Sequence, residues 1–155
     1  DTLFANQHAA LDAMPKALRS RLEGRMGIHS AKRAYAPEGT YGAGDKDRSM
    51  DIRPSTAAEA TQLHPIIRRH PETGREGVFS CFGYIIGIEG MSAEESTPLL
   101  LELYQWQSRE EFQYRHKWKP GTLLMWDNRS VLHAATGGYD GYDRVLHRTT
   151  IAASP

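Results

Sequence analysis

The sequence is short of several things at once: it has a single cysteine, Cys81, no net charge, no initiator methionine and no apolar run of membrane-spanning length. One cysteine excludes an internal disulfide and fits a reducing, cytoplasmic setting. Without a run of some 20 apolar residues there is no spanning helix, and no membrane partner is expected. The 19 basic and 19 acidic residues cancel, which excludes the broad basic surface that nucleic acids or anionic membranes demand. Any anion recognition must therefore be local. Nor does the opening DTLFANQHAALDAM carry the basic and apolar regions of a signal peptide. The expectation is a chain incomplete at its N-terminus.

At 155 residues, 39% of them hydrophobic, the chain suffices for one core, so residues 1–155 are expected to form one domain. Asp1 to Phe4 reads as the tail of a strand. NQHAALDAM and PKALRSRLEG read as two short helices, with Pro15 at the first position of the second and Gly24 ending it. MGIHS is a strand candidate. From Lys32 to Thr61, Gly, Pro, Ser, Asp and Lys dominate without a sustained period, so this segment is read as a long loop: either a lid or a surface insertion.

HPIIRRH, PETGRE and GVFSCF together predict a strand, a turn and a strand. SAEESTPLLLELYQWQ opens with Ser92 and Glu95 spaced for a capping box ahead of apolar residues at helical intervals. FQYRHKW alternates ring and polar residues, and TLLMWDN and RVLHRTTIA are further strand candidates. With strands dominating the second half and one helix outside them, the pattern suggests an antiparallel sandwich or barrel.

His133 closes the apolar stretch SVLH where the sequence turns small and flexible. A neutral imidazole at such a rim is a good ligand for a divalent transition metal, and equally a common structural residue. Arg144 and Arg148 are four apart on RVLHR, so on a strand they share one face, with His147 and Val145 on the other. Two guanidinium groups on one face either fork onto an organic anion or stand solvated.

Three stretches taken in order, HPIIRRHPETGR, FQYRHKWKPGTLLMWDNRSVLH and DRVLHRTTI, resemble the C-terminal half of the taurine dioxygenase (TauD/TfdA) family of Fe(II)- and 2-oxoglutarate-dependent oxygenases. The resemblance implies a mainly β fold with flanking helices, a cupin-like double-stranded β-helix or jelly roll. It also implies iron held by two histidines and a carboxylate, with 2-oxoglutarate and O2 as cosubstrates. His133 matches the distal histidine ligand; the family's His-x-Asp pair would precede Asp1. Thr2 and Arg144 match the pair that binds the distal carboxylate of 2-oxoglutarate. Arg148 matches the arginine that receives the substrate's anionic group, and Tyr84 falls at an aromatic pocket position. Trp126 is expected to fill the barrel, and Asp127 to fix the turn presenting His133.

His70, Pro71 and Glu72 form a His-x-Glu tripeptide, but it lies in the hairpin turn that the family also has there. His8, His29, His64, His116 and His147 have no acidic residue two positions on. Cys81 is read as a small buried hydrophobe and His147 as packing in the opposite layer. The activity implied is hydroxylation of a small anionic organic molecule, such as taurine or another alkylsulfonate, with alkyl sulfates, aryloxy acids and amino-acid derivatives as alternatives. A noncatalytic, anion-binding half domain is the competing possibility, and self-association is left open.

Overall fold

The computed structural model describes residues 1–42, 52–138, 141, 143 and 145–151. Eight strands, all paired antiparallel, form two three-stranded sheets and one hairpin. The strands are β1 (Thr2–Asn6), β2 (Met26–Ser30), β3 (Thr61–Pro65), β4 (Ile67–Arg69), β5 (Glu76–Val78), β6 (Ile85–Ile88), β7 (Gln113–His116) and β8 (Val131–Ala135). The first sheet has the order β7-β1-β8, the second β3-β2-β6, and β4 with β5 makes the hairpin.

Local chemistry sets the helix boundaries. Asn6 ends β1 and caps α1 (Gln7–Asp12): its Oδ1 accepts the backbone N–H groups of His8 and Ala9 at 3.0 and 3.1 Å. Pro15 stands just before α2 (Lys16–Leu22), one position earlier than expected, and Gly24 follows with φ 71°. That left-handed backbone is one that glycine adopts without steric cost. At α4 (Ala93–Gln107) the capping box forms in both directions. Ser92 N–H donates to Glu95 Oε2 at 2.8 Å and Ser92 Oγ accepts Glu95 N–H at 3.2 Å. The helix runs on through Pro98.

The core lies among α1, α2, α4 and the second sheet. Leu11, Leu22, Ile66, Ile85, Ile88 and Leu103 are each buried to 2% exposure or less. Burying such a side chain contributes about 1.5–3 kcal/mol, so this cluster anchors the second sheet against the helices.

Three expectations need correction. The segment from Lys32 to Thr61 is not all loop: it holds a helical turn, α3 (Lys32–Tyr35), and a 3-10 turn at Thr56–Glu59, while Thr61 starts β3. Its central residues 43–51 lie outside the described ones. TLLMWDN and the described part of RVLHRTTIA form no strands. Their alternation matches a pleat, but no neighbouring strand takes up their backbone groups, and Leu123, Met125 and Ile151 remain 85%, 80% and 89% exposed. His147 consequently has no opposite layer to pack in and is exposed.

Candidate active site

Register builds the site. In the first sheet Thr2 lies opposite His116 on one side and Ala135 on the other, and Phe4 lies opposite Tyr114 and His133. Side chains alternate along a strand and directly paired residues share a face, so Thr2, Phe4, His116 and His133 project from the same face. Thr2 and His133, 131 positions apart in sequence, are thereby diagonal neighbours across one strand pair. Such neighbours stand roughly 7–8 Å apart.

His133 stands in an aromatic corner. Its ring centroid is 6.2 Å from that of Phe4 and 5.1 Å from that of Trp126, and Phe4 meets Trp126 at 5.3 Å. Trp126 is therefore half-buried, packed against the histidine. The residue as a whole is exposed, yet the flanking rings strip water from part of the imidazole. That desolvation, with the positive charge of Arg148 acting second, pushes its pKa below the usual histidine value. The neutral ring, the form that ligates metal, is favoured.

The turn that presents His133 is fixed from a distance. Asp127 accepts Arg129 backbone N–H at 2.8 Å and the Arg129 guanidinium at 2.7 Å. These bonds, opposed by burial and aided by His70, hold its carboxyl well below the usual carboxylate range. The carbonyl of Asp127 also accepts Ser130 and Val131 N–H, while Gln7 N–H bonds Ser130 O at 2.9 Å. Asp127 thus fixes the turn, as expected.

His70 is the distant anchor. Its Nδ1 lies 3.2 and 3.3 Å from the N–H groups of Glu72 and Thr73, so Nδ1 accepts and the proton sits on Nε2, which donates to Asp127 Oδ2 at 2.9 Å. Both ring nitrogens are engaged. The His70–Pro71–Glu72 tripeptide is accordingly a structural tie between two turns.

The other site residues are less concentrated. Arg148 is exposed and close enough for its charge to act on His133. Arg144 lies outside the described residues. Tyr84 sits beside the second sheet, where its carbonyl accepts Ser30 N–H at 2.8 Å and its hydroxyl group bonds Tyr35 of α3. Burial first, then that bond, pushes its pKa up to about 12, so the phenol stays protonated. Tyr84 is thus joined to the expected lid segment. Cys81, beside it, is half-buried rather than buried.

One contact was not singled out from the sequence. Trp118 Nε1–H donates to Thr2 Oγ1 at 2.9 Å. The signal was present in the alternation Phe112, Tyr114, His116, Trp118, which continues the ring-bearing face of β7 beyond its last paired residue.

Among the described residues no three His, Cys, Asp or Glu side chains converge as a metal site. The donor chemistry present fits one imidazole ligand plus a hydroxyl suited to an anion. The described residues also include no helix long and apolar enough to cross a membrane.

Comparison with known proteins gives the same frame. The chain is 38% identical over 150 residues to an alpha-ketoglutarate-dependent 2,4-dichlorophenoxyacetate dioxygenase of Cupriavidus pinatubonensis, covering 97% of this chain and 49% of that protein. It is 30% identical to an alpha-ketoglutarate-dependent sulfate ester dioxygenase of Pseudomonas putida, covering 98% and 50%. A crystal structure described as an alpha-ketoglutarate dependent 2,4-D dioxygenase from Burkholderia xenovorans superposes with a TM-score of 0.70 at 32% identity, over 85% of this chain and 48% of that one. The chain spans about half the length of the curated relatives it matches. Its strands are part of a cupin-like jelly roll. Residues 1–150 match the family model described as taurine catabolism dioxygenase TauD, TfdA family, and the chain belongs to that family.

Proposed function

We propose that the complete gene product is an Fe(II)- and 2-oxoglutarate-dependent dioxygenase that hydroxylates a small anionic organic molecule, with succinate and carbon dioxide as co-products. This chain is the C-terminal part of its single catalytic domain. The observation that carries the assignment is the common face of Thr2 and His133, one a buried hydroxyl and the other an imidazole packed between Phe4 and Trp126.

His133 is one iron ligand, and a His-x-Asp pair preceding Asp1 supplies the others. Bound iron would activate dioxygen at the expense of 2-oxoglutarate. Thr2 and Arg144 hold the distal carboxylate of 2-oxoglutarate, since a carboxylate leaving water needs a guanidinium and a hydroxyl donor. Arg148 takes the anionic group of the substrate and Tyr84 contributes to its pocket from the lid side. Phe4 and Trp126 keep water from one side of the imidazole.

The relatives named above act, by their descriptions, on an aryloxy acid and a sulfate ester, and both are organic anions. Taurine or another alkylsulfonate shares the group Arg148 would recognise. Succinate release by the complete gene product, screened over sulfonates, sulfate esters, aryloxy acids and amino-acid derivatives, tests the assignment. No succinate with any of them, together with no absorption band on anaerobic addition of Fe(II) and 2-oxoglutarate, overturns it.

A second possibility concerns the 155-residue chain taken alone: an anion-binding half domain without iron. The lack of a three-residue metal cluster among the described residues favours it. Tight stoichiometric iron in the mass-verified chain would refute it.

A further inference from the structure

We infer that Trp118 is a positioning residue for the Thr2 hydroxyl, fixing the direction in which that hydroxyl donates its proton. The inference rests on the proposed role of Thr2 as a contact of the distal carboxylate of 2-oxoglutarate.

A threonine hydroxyl has one proton and two lone pairs, and which way the proton points is decided by its partners. Indole N–H is a donor only. The 2.9 Å contact from Trp118 Nε1 to Thr2 Oγ1 therefore occupies a lone pair and leaves the threonine proton to be given elsewhere. Thr2 is 7% exposed and sits on the central strand of its sheet, held by β7 on one side and β8 on the other. Its β-branched side chain has little freedom about χ1. With Oγ1 fixed by the strand and one lone pair occupied by the indole, the remaining donor is directed. A directed O–H on the face that carries His133 is suited to a carboxylate oxygen.

The indole is held by packing. His116, paired directly with Thr2, meets the Trp118 ring nearly perpendicular, at 88° and a centroid distance of 4.8 Å. His116 Nε2 is buried with no hydrogen-bond partner among the described residues, so this contact is a ring contact and not a polar one. The order of support runs from His116 through Trp118 to the Thr2 hydroxyl. Were Trp118 only a core filler, losing its N–H while keeping its ring would leave anion binding untouched.

Trp118→Phe makes that separation, and Thr2→Val removes the acceptor. Binding of 2-oxoglutarate to the complete gene product is measured by isothermal titration calorimetry for the unsubstituted protein, both single variants and the double variant. Losing one neutral hydrogen bond should weaken binding about 3- to 10-fold in Trp118→Phe, with Fe(II) stoichiometry unchanged. In the Thr2→Val background the same change should have no further effect. An unchanged dissociation constant in Trp118→Phe, or an equal loss in both backgrounds, overturns the inference while sparing the assigned function. No 2-oxoglutarate binding by the unsubstituted protein overturns both. If Trp118→Phe does not fold, the unsubstituted protein still decides. Its Trp118 Nε1–H resonance should resist solvent exchange and shift when 2-oxoglutarate is added; a rapidly exchanging, unshifted resonance sinks the idea.

Discussion

Replacing Asp127 by Ala tests how the chain aims His133. The substitution removes acceptors for His70 Nε2–H, for Arg129 backbone N–H and for the Arg129 guanidinium. Their worth differs with burial. The side chain of Asp127 is 35% exposed and that of Arg129 31%, so the ion pair between them, near the surface, contributes little. The His70 side chain is only 5% exposed, and stranding its N–H costs roughly 1–3 kcal/mol. Losing a side-chain cap on the turn adds about 1 kcal/mol. These two costs together come to about 2–4 kcal/mol, dominated by His70. A double-mutant cycle with His70→Ala isolates that share. In urea unfolding of the complete gene product at pH 7, the two substitutions together should cost clearly less than the sum of the singles. Additivity within about 0.5 kcal/mol would refute the tie. Asp127→Asn should cost less than Asp127→Ala, because the amide oxygen still accepts from His70.

The pair His29 and His64 should make stability fall on mild acidification. Burial, with the neighbouring His64 second, lowers the His29 pKa to about 4, and burial likewise lowers that of His64. Between about 6.5 and 4 the unfolded chain therefore binds a proton that folded His29 refuses. Stability drops with falling pH across that window, at no more than ~1.4 kcal/mol per pH unit for one histidine and less where solvent reaches it. A urea midpoint series from pH 7 to pH 4 reads this, and an unchanged slope in His29→Phe would refute it. Hydrogen exchange should find the amides of residues 145–151 unprotected in the 155-residue chain, where no strand pairs with them, and slowed in the complete gene product. Equal rates in both would sink the argument that this segment lacks only a partner.

Wherever a structural decision is local, the sequence already contained it. MGIHS is β2 from Met26 to Ser30, the Ser92 and Glu95 pair forms its capping box, and the PETGR stretch turns between β4 and β5. Each depends on a few consecutive residues whose own chemistry fixes φ and ψ. TLLMWDN and RVLHRTTIA carry equally good strand patterns, and their described residues form none. Alternation states which side chains would share a face, but a strand exists only where another strand accepts its hydrogen bonds. The site divides along the same line. The family resemblance singled out His133 and the arginines, which residue type alone left undecided, whereas the pairing of Phe4 with His133 is a register between residues 129 apart, which no local pattern encodes. The bond from His70 to Asp127 spans 57 positions and follows from the packing of two turns.

The position of β1 explains why the two halves of the site differ in character. As the central strand of β7-β1-β8, it has both backbone edges paired, so Thr2 is held from two sides and can offer a fixed hydroxyl. Among the described residues β8 has only β1 beside it, which leaves His133 on an edge strand there. An edge is where further strands add. On the proposed function, the hydroxyl that would meet the 2-oxoglutarate carboxylate is thus already held within this chain. On the same proposal, the part of the iron site that this chain would supply is the ring of His133, packed against Phe4 and Trp126.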